Sequence, residues 1–288
     1  MKTAIALLYF VFVVAVCSDD SDDSVKLRII NKGEVAKIGE FPYQVSFNTY
    51  GVSVCGGVLI SPRHVLTAAH CVMDHLSEEY RNATKNHFTI EVGSIKVGTG
   101  KQYGIKRMSH HKDFFLIMRP QPELVRNDIA MIHLNESVKF SKNVQAIAVP
   151  SKPSKVKDGM FVITSGFGQS AIYYDGKLKY FYAKTVDCES SFKNRTYFNN
   201  ICTKFTKGYG VCYGDSGGPL VDIRKKVLLG ITSTSAEECA SGVEPDVWVN
   251  VSYYLDFIKE EMQHNVTNKS SHPGLDIDWS TPTTSNGR

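Results

Sequence analysis

The chain has 288 residues, enough for one or two ordinary domains with a substantial buried core. Hydrophobic residues make up 42% and charged residues 22%, a globular balance that excludes a disordered chain. The formal net charge of +4 is spread thinly, with no Lys/Arg block of the kind that marks a nucleic-acid patch.

Lys2 gives a basic start, and residues 4–16 form an apolar run of 13, too short to span a bilayer. That length suits the h-region of a signal peptide, and Ala15-Val16-Cys17 offers small residues for cleavage near Ser18. A buried N-terminal helix fits poorly with the solvated Ser/Asp tract over 18–24. The expectation is a signal peptide over 1–17, a secreted extracellular product and no integral membrane protein. Cysteines in an oxidising compartment read as bridges. Of the seven, Cys17 leaves with the leader, and six remain. Asn-x-Ser/Thr acceptors at Asn82, Asn135, Asn194, Asn250, Asn265 and Asn268 predict a glycoprotein. Asn265 and Asn268 lie in the most polar stretch and are the best placed.

Beyond Ser24 the pattern is strand-like. Short apolar or alternating runs bounded by Gly, Pro, Asn or Ser recur at 42–48, 53–60, 64–68, 88–92, 129–134, 160–164, 219–223 and 227–233. A helical period comes only near the end, where apolar residues at 254, 255, 258 and 262 predict an amphipathic helix. Many short strands without a βαβ pattern imply an antiparallel sandwich or barrel. The polar remainder, over 264–288, reads as a flexible tail.

Three segments carry chemistry: Leu66-Thr67-Ala68-Ala69-His70-Cys71, Arg126-Asn127-Asp128-Ile129-Ala130 and Cys212-Tyr213-Gly214-Asp215-Ser216-Gly217-Gly218-Pro219. Alone, His70 reads as a satisfied histidine and Asp128 as a turn residue. The third segment is the informative one. A serine flanked by glycines lies on a tight backbone that can aim N–H groups and a hydroxyl into one small space.

Together these segments resemble the trypsin/chymotrypsin family of serine proteases, in that family's order His70, Asp128, Ser216. The resemblance covers about 29–262. It implies an all-β fold of two antiparallel six-stranded β-barrels with a C-terminal α-helix. The implied division is a protease domain over 29–263, with barrels at about 29–145 and 146–250 and a helix at 252–263. Ser216 becomes the nucleophile, His70 its base and Asp128 the residue that orients the imidazole. The N–H groups of Gly214 and Ser216 would form the oxyanion hole, and Ser233 would assist Asp128. No cofactor or metal is expected. The implied partners are protein or peptide substrates and macromolecular protease inhibitors, with no nucleic acid and no membrane, for a monomeric enzyme.

The resemblance extends to activation. Arg28-Ile29-Ile30-Asn31 is similar to the family's activation junction, which makes 18–28 a propeptide of a zymogen. Cleavage after Arg28 would free the Ile29 amine to pair with Asp215, whose buried carboxylate needs a partner. The six cysteines allow fifteen pairings in principle. The resemblance selects Cys55–Cys71, Cys188–Cys202 and Cys212–Cys239, each worth on the order of 3 kcal/mol in the chain-entropy view. Val162 and Asp222 stand where many vertebrate relatives carry a fourth bridge.

Specificity departs from trypsins. Their pocket-base aspartate is replaced by Gly210, followed by Val211, while Asp246 stands at a pocket-wall position. Gly210 with Asp246 resembles the crab collagenase-like arthropod members, which cleave after basic and also apolar residues. The alternative reading makes Asp246 a turn cap and leaves a chymotrypsin- or elastase-type preference. Thr234 and Ser235 replace the usual Trp-Gly pair along the substrate-binding strand. The segment 94–102 has no carboxylate, which argues against the calcium loop of many relatives. His110-His111 reads as solvated. From another class, a catalytically silent protease-fold binding protein remains the rival, and the intact triad weighs against it.

Overall fold

The computed structural model describes residues 33–73, 87–117, 124–169, 174–192, 199–204, 207–235, 239–263 and 277–278. The expected signal peptide, propeptide and junction residues Arg28 and Ile29 therefore lie outside the described residues. So do the sequons at Asn82, Asn194, Asn265 and Asn268.

Period-two alternation closes into two barrels. In chain order the first half supplies β1 (Glu34–Val35), β2 (Gln44–Thr49), β3 (Val52–Ser61), β4 (His64–Thr67), the short helix α1 (Ala69–Met73), β5 (Phe88–Val92), β6 (Lys101–His110), β7 (Phe115–Ile117), β8 (Leu124–Arg126) and β9 (Ala130–Leu134). The second supplies β10 (Phe161–Gly166), β11 (Lys179–Val186), α2 (Cys188–Ser191), β12 (Asn200–Lys204), β13 (Pro219–Asp222), β14 (Val227–Thr234) and β15 (Asp246–Asn250). A 3-10 turn (Val251–Tyr254), helix α3 (Leu255–Gln263) and a two-residue strand β16 (Ile277–Asp278) follow.

The first barrel runs β6-β5-β2-β3-β4-β9 and is closed by β6 pairing with β9. The second runs β11-β10-β13-β14-β15-β12 and is closed by β11 pairing with β12. Closure removes the sheet edges that would otherwise stay unpaired. Two six-stranded antiparallel barrels with a terminal helix are the fold that the sequence implied. Val45, Phe47, Leu66, Ile90, Met108 and Ile132 fill the first barrel, and Val162, Leu220 and Trp248 the second. Trp248 donates its ring N–H to Thr203 Oγ1 at 2.7 Å, so its one polar atom is satisfied in the core. β6 serves both neighbours by shifting register between Ile105 and Arg107, a bulge that turns it from β5 to β9.

Two short strands depart from the expected division. Glu34 and Val35 of β1 pair with Tyr180 and Lys179 on the second barrel, so the chain start crosses a boundary placed at residue 145. In the expected flexible tail, Ile277 and Asp278 of β16 pair antiparallel with Met108 and Arg107 of β6. The terminal helix also turns differently from its apolar stripe. Met262 is exposed and Glu261 is buried. The reason is a partner set: the Glu261 carboxylate receives Arg107, Ser109 Oγ at 2.6 Å and lies 3.0 Å from His133 Nε2. Burial pushes this carboxyl up, but His133, the Arg107 charge and Ser109 outweigh it and hold its pKa down at about 2. That cluster clamps α3 onto the first barrel.

The segment expected to lack a calcium site is organised by a carboxylate from outside it. Glu91 of β5 accepts the N–H groups of Gly98, Thr99 and Gly100 at 2.8, 3.0 and 2.6 Å, together with Asn48 Nδ2 at 3.1 Å. Backbone N–H groups pointing inward suit an anion, and the Glu91 carboxylate is the anion they hold. Glu91→Ala is expected to lower stability by about 2–4 kcal/mol, because it leaves these donors without their acceptor. Chelator is expected to leave the unfolding temperature of the parent unchanged. Denaturant titration of both proteins checks this.

Candidate active site

α1 begins directly after β4 and carries His70 into the space between the barrels. Its ring Nδ1 lies 2.8 Å from Asp128 Oδ2, and its backbone N–H donates to Asp128 Oδ1 at 2.9 Å. Asp128 precedes β9, is 1% exposed, and accepts a third bond from Ser233 Oγ at 2.6 Å. Burial pushes the Asp128 carboxyl up, yet the His70 charge and the hydrogen bonds from His70 and Ser233 outweigh it and hold it below its ordinary value. A carboxylate fixed this way holds the imidazole in one orientation. With Nδ1 committed to Asp128, proton exchange falls to Nε2. Asn127, just before Asp128, takes a positive φ of 52° and is pinned by Nδ2 donating to Asp113 O at 2.7 Å and Oδ1 accepting from Tyr254 at 3.0 Å.

The nucleophile segment is seated on the strands that lead to His70. Gly56 N–H donates to Ser216 O at 2.7 Å. A side chain at Gly217 would meet Thr67 Oγ1 at 2.1 Å and Ala68 N at 3.0 Å, so only glycine lets this turn press against the residues just ahead of the histidine. Gly214 holds φ +91°, a conformation that residues with a side chain rarely adopt. Cys55–Cys71 fastens β3 to α1, and Cys212–Cys239 ties the nucleophile segment to the loop before β15. Cys188–Cys202 joins α2 to β12. All three pairings selected by resemblance form. Cys55, Cys71 and His70 stand close enough to share an ion. Both sulfurs are spent in a disulfide, however, and offer no thiolate.

Asp215 is a second buried carboxylate. Its carboxylate accepts Gly168 N–H at 2.8 Å and Cys212 N–H at 3.0 Å, in a niche that exists because residues 166 and 168 are glycines. A Cβ on Gly166 would fall 2.0 Å from Asp215 Oδ1, and one on Gly168 would fall 2.3 Å from its carboxyl carbon. Burial raises its pKa to about 6 against the pull of those two amides and of Lys179. Neither glycine figured in the sequence reading. Their signal, Gly-Phe-Gly beginning two residues after Thr164, has meaning only once the strand is packed against Asp215.

Around the expected pocket, Asp246 opens β15, is 3% exposed, and its Oδ2 accepts Val211 N–H at 3.0 Å. A Cβ at Gly210 would approach that oxygen to 3.2 Å. Val211 itself turns its side chain into the core with Trp248 and Leu220 and meets Asp246 through its backbone N–H. Ser233 is engaged on Asp128, and Ser235 follows the end of β14, half-buried. Val162 stands opposite Asp222 in register, which is where a fourth bridge would join β10 to β13. Asn250 is a correction. It is 2% exposed, donates Nδ2 to Ser154 O at 3.1 Å and caps the following turn through Ser252, so the folded protein has no room for a sugar there. Asn135 is exposed.

The trypsin family model matches residues 30–258. The chain belongs to the trypsin family. This is a serine protease domain, and its substrate class is protein or peptide. Among the described residues no helix is long and apolar enough to cross a membrane.

Asp215 gives a prediction for the uncleaved Arg28→Ala chain. An acid whose folded pKa is raised stabilises below its ordinary pKa of 3.8, and that contribution is lost as pH rises through about 6. Asp215→Asn in that chain is therefore expected to match the parent near pH 4 and exceed it by on the order of 3 kcal/mol at pH 8. Thermal unfolding across that range measures the gap.

Proposed function

We propose that this protein is a secreted serine endopeptidase, made as a zymogen and activated by cleavage after Arg28. The observation that carries the reading is the Asp128 carboxylate, bonded at once to both His70 nitrogen donors and to Ser233 Oγ. Ser216 attacks the scissile carbonyl while His70 Nε2 takes its proton and later returns it to the leaving amine. The N–H groups of Gly214 and Ser216 stabilise the oxyanion, each donor being worth about 2.7–4 kcal/mol in barrier height. Water then releases the acyl group by the same route in reverse.

Activation follows from the cost of Asp215. A carboxylate buried against two amides gains from an ammonium partner, and the Ile29 amine is the one that cleavage would create. Its arrival would order the neighbouring oxyanion segment. The hydrogen bonds that hold Asp128 to His70 and Ser233 weigh against the silent binding-protein reading, which has no use for an oriented imidazole.

For specificity we propose that Asp246 faces the P1 side chain from the pocket wall, beside a floor narrowed by nothing larger than Gly210. This yields cleavage after basic and apolar residues, as in the crab collagenase-like pattern. The proximity of Asp246 Oδ2 to Gly210 supports it. A solely chymotrypsin- or elastase-type preference is the competing outcome.

After processing at Arg28, a fluorophosphonate probe is expected to label the parent and spare Ser216→Ala, with Arg28→Ala labelled at least a hundredfold more slowly. Full labelling of intact Arg28→Ala would refute the zymogen reading. On a P1 peptide library, Asp246→Gly is expected to lose tenfold or more in cleavage after Arg and Lys while apolar cleavage persists. An unchanged profile would remove Asp246 from the pocket.

A further inference from the structure

The second barrel gathers, at one end, cations that the sequence scatters. Phe161 at the start of β10 pairs with Lys184 of β11, and Lys184 in turn stands opposite Lys204 of β12. Directly opposed residues share a face, and all three are exposed. On the other side of β10, Val162 pairs with Asp222, so the tip Arg224-Lys225-Lys226 between β13 and β14 projects from the same end. Asp222 fixes that tip: its Oδ1 accepts the N–H groups of Arg224 and Lys225 at 2.8 and 3.1 Å, and its carbonyl accepts that of Lys226 at 2.8 Å. The segment before β10 crosses the same strand ends. Thr185 Oγ1 donates to Lys157 O at 2.6 Å and accepts Met160 N–H at 2.9 Å, which sets Lys155 and Lys157 beside Lys184.

Lys152, Lys155, Lys157, Lys184, Lys204, Arg224, Lys225 and Lys226 are all exposed, and none is joined to a carboxylate in an ion pair among the described residues. The bordering acids are Asp158, Asp187 and Glu189. Lys184 and Lys204 form a like-charge cross-strand pair, which costs stability unless something anionic lies over it. Lys184 Nζ stands 4.7 Å from the Phe161 ring centroid, which holds the ammonium up from the sheet. Four neighbouring strands at about 4.8 Å spacing make the belt roughly 15 Å wide. Ser216 precedes β13 and Asp222 ends it, so a ligand on the belt leaves the cleft open.

We propose that this belt binds a sulfated polysaccharide chain. A row of exposed point charges without an apolar pocket suits a linear polyanion bound through counterion release, whereas a protein partner needs a buried anchor at the centre of its footprint. Tyr182, two residues from Lys184 on the same face of β11 and 57% exposed, offers a flat ring against which a sugar ring can lie.

The test uses the full chain and heparin as the probe. Arg224→Glu/Lys225→Glu/Lys226→Glu and Lys184→Glu/Lys204→Glu are compared with Lys37→Glu/Lys139→Glu/Lys142→Glu, exposed lysines elsewhere. At 0.15 M salt the belt triple variant is expected to bind about a hundredfold more weakly, with a shallower salt dependence, and the control triple to stay within a few-fold of the parent. Unfolding temperature and fluorophosphonate labelling are expected to be unchanged in all. Equal losses in belt and control variants, or no loss in either, would overturn the belt. Binding of phosphatidylserine vesicles or a single-stranded oligonucleotide as tightly as heparin would overturn the sulfated sugar as its ligand.

Discussion

The active centre depends on one buried carboxylate. Asp128 is buried, and its charge is held by three donors that converge on its two oxygens. Those donors come from different places: the helix after β4 and the strand β14 of the other barrel. The barrels are thereby keyed to each other through the residue that also orients the base. A burial penalty, met by a specific set of hydrogen bonds, sets both the inter-barrel geometry and the tautomer of His70.

Asp215 shows the same chemistry left incomplete. It lies against Gly166 and Gly168, takes two amide donors, and burial still raises its pKa to about 6. The two aspartates differ in what meets them: three donors converge on Asp128, and two backbone amides meet Asp215. Glu91 and Glu261 are further buried carboxylates, satisfied by amides and by Arg107 with His133 respectively. All four sit at joints between segments, where a fixed anion can gather donors from several directions.

Much of this was legible in the residues. The His70–Asp128 pair and the three bridges lie in compact motifs whose order survives any change of surface. Strands with clean alternation, such as β5, were visible too. Those hidden were the strands whose outward face is aromatic or whose inward face is charged. In β11, Tyr180 and Tyr182 stand outward beside buried Phe181 and Ala183, which erases the period. In β6, the buried Arg107 looks like a surface residue until Glu261 meets it from 154 positions away. Gly166 and Gly168 carry no chemistry of their own and are recognisable only by the carboxylate they make room for. Asn250 looked available in sequence because asparagine is mostly exposed, and Val211 looked like pocket lining because its place beside Gly210 does not show which way its side chain turns.

The most direct test of the account is the rate at which the activated protein is acylated by an ester substrate, compared with Asp128→Asn. If Asp128 fixes the imidazole that deprotonates Ser216, acylation falls by about ten-thousandfold while the fold is retained. Acylation of Asp128→Asn within tenfold of the parent would contradict it.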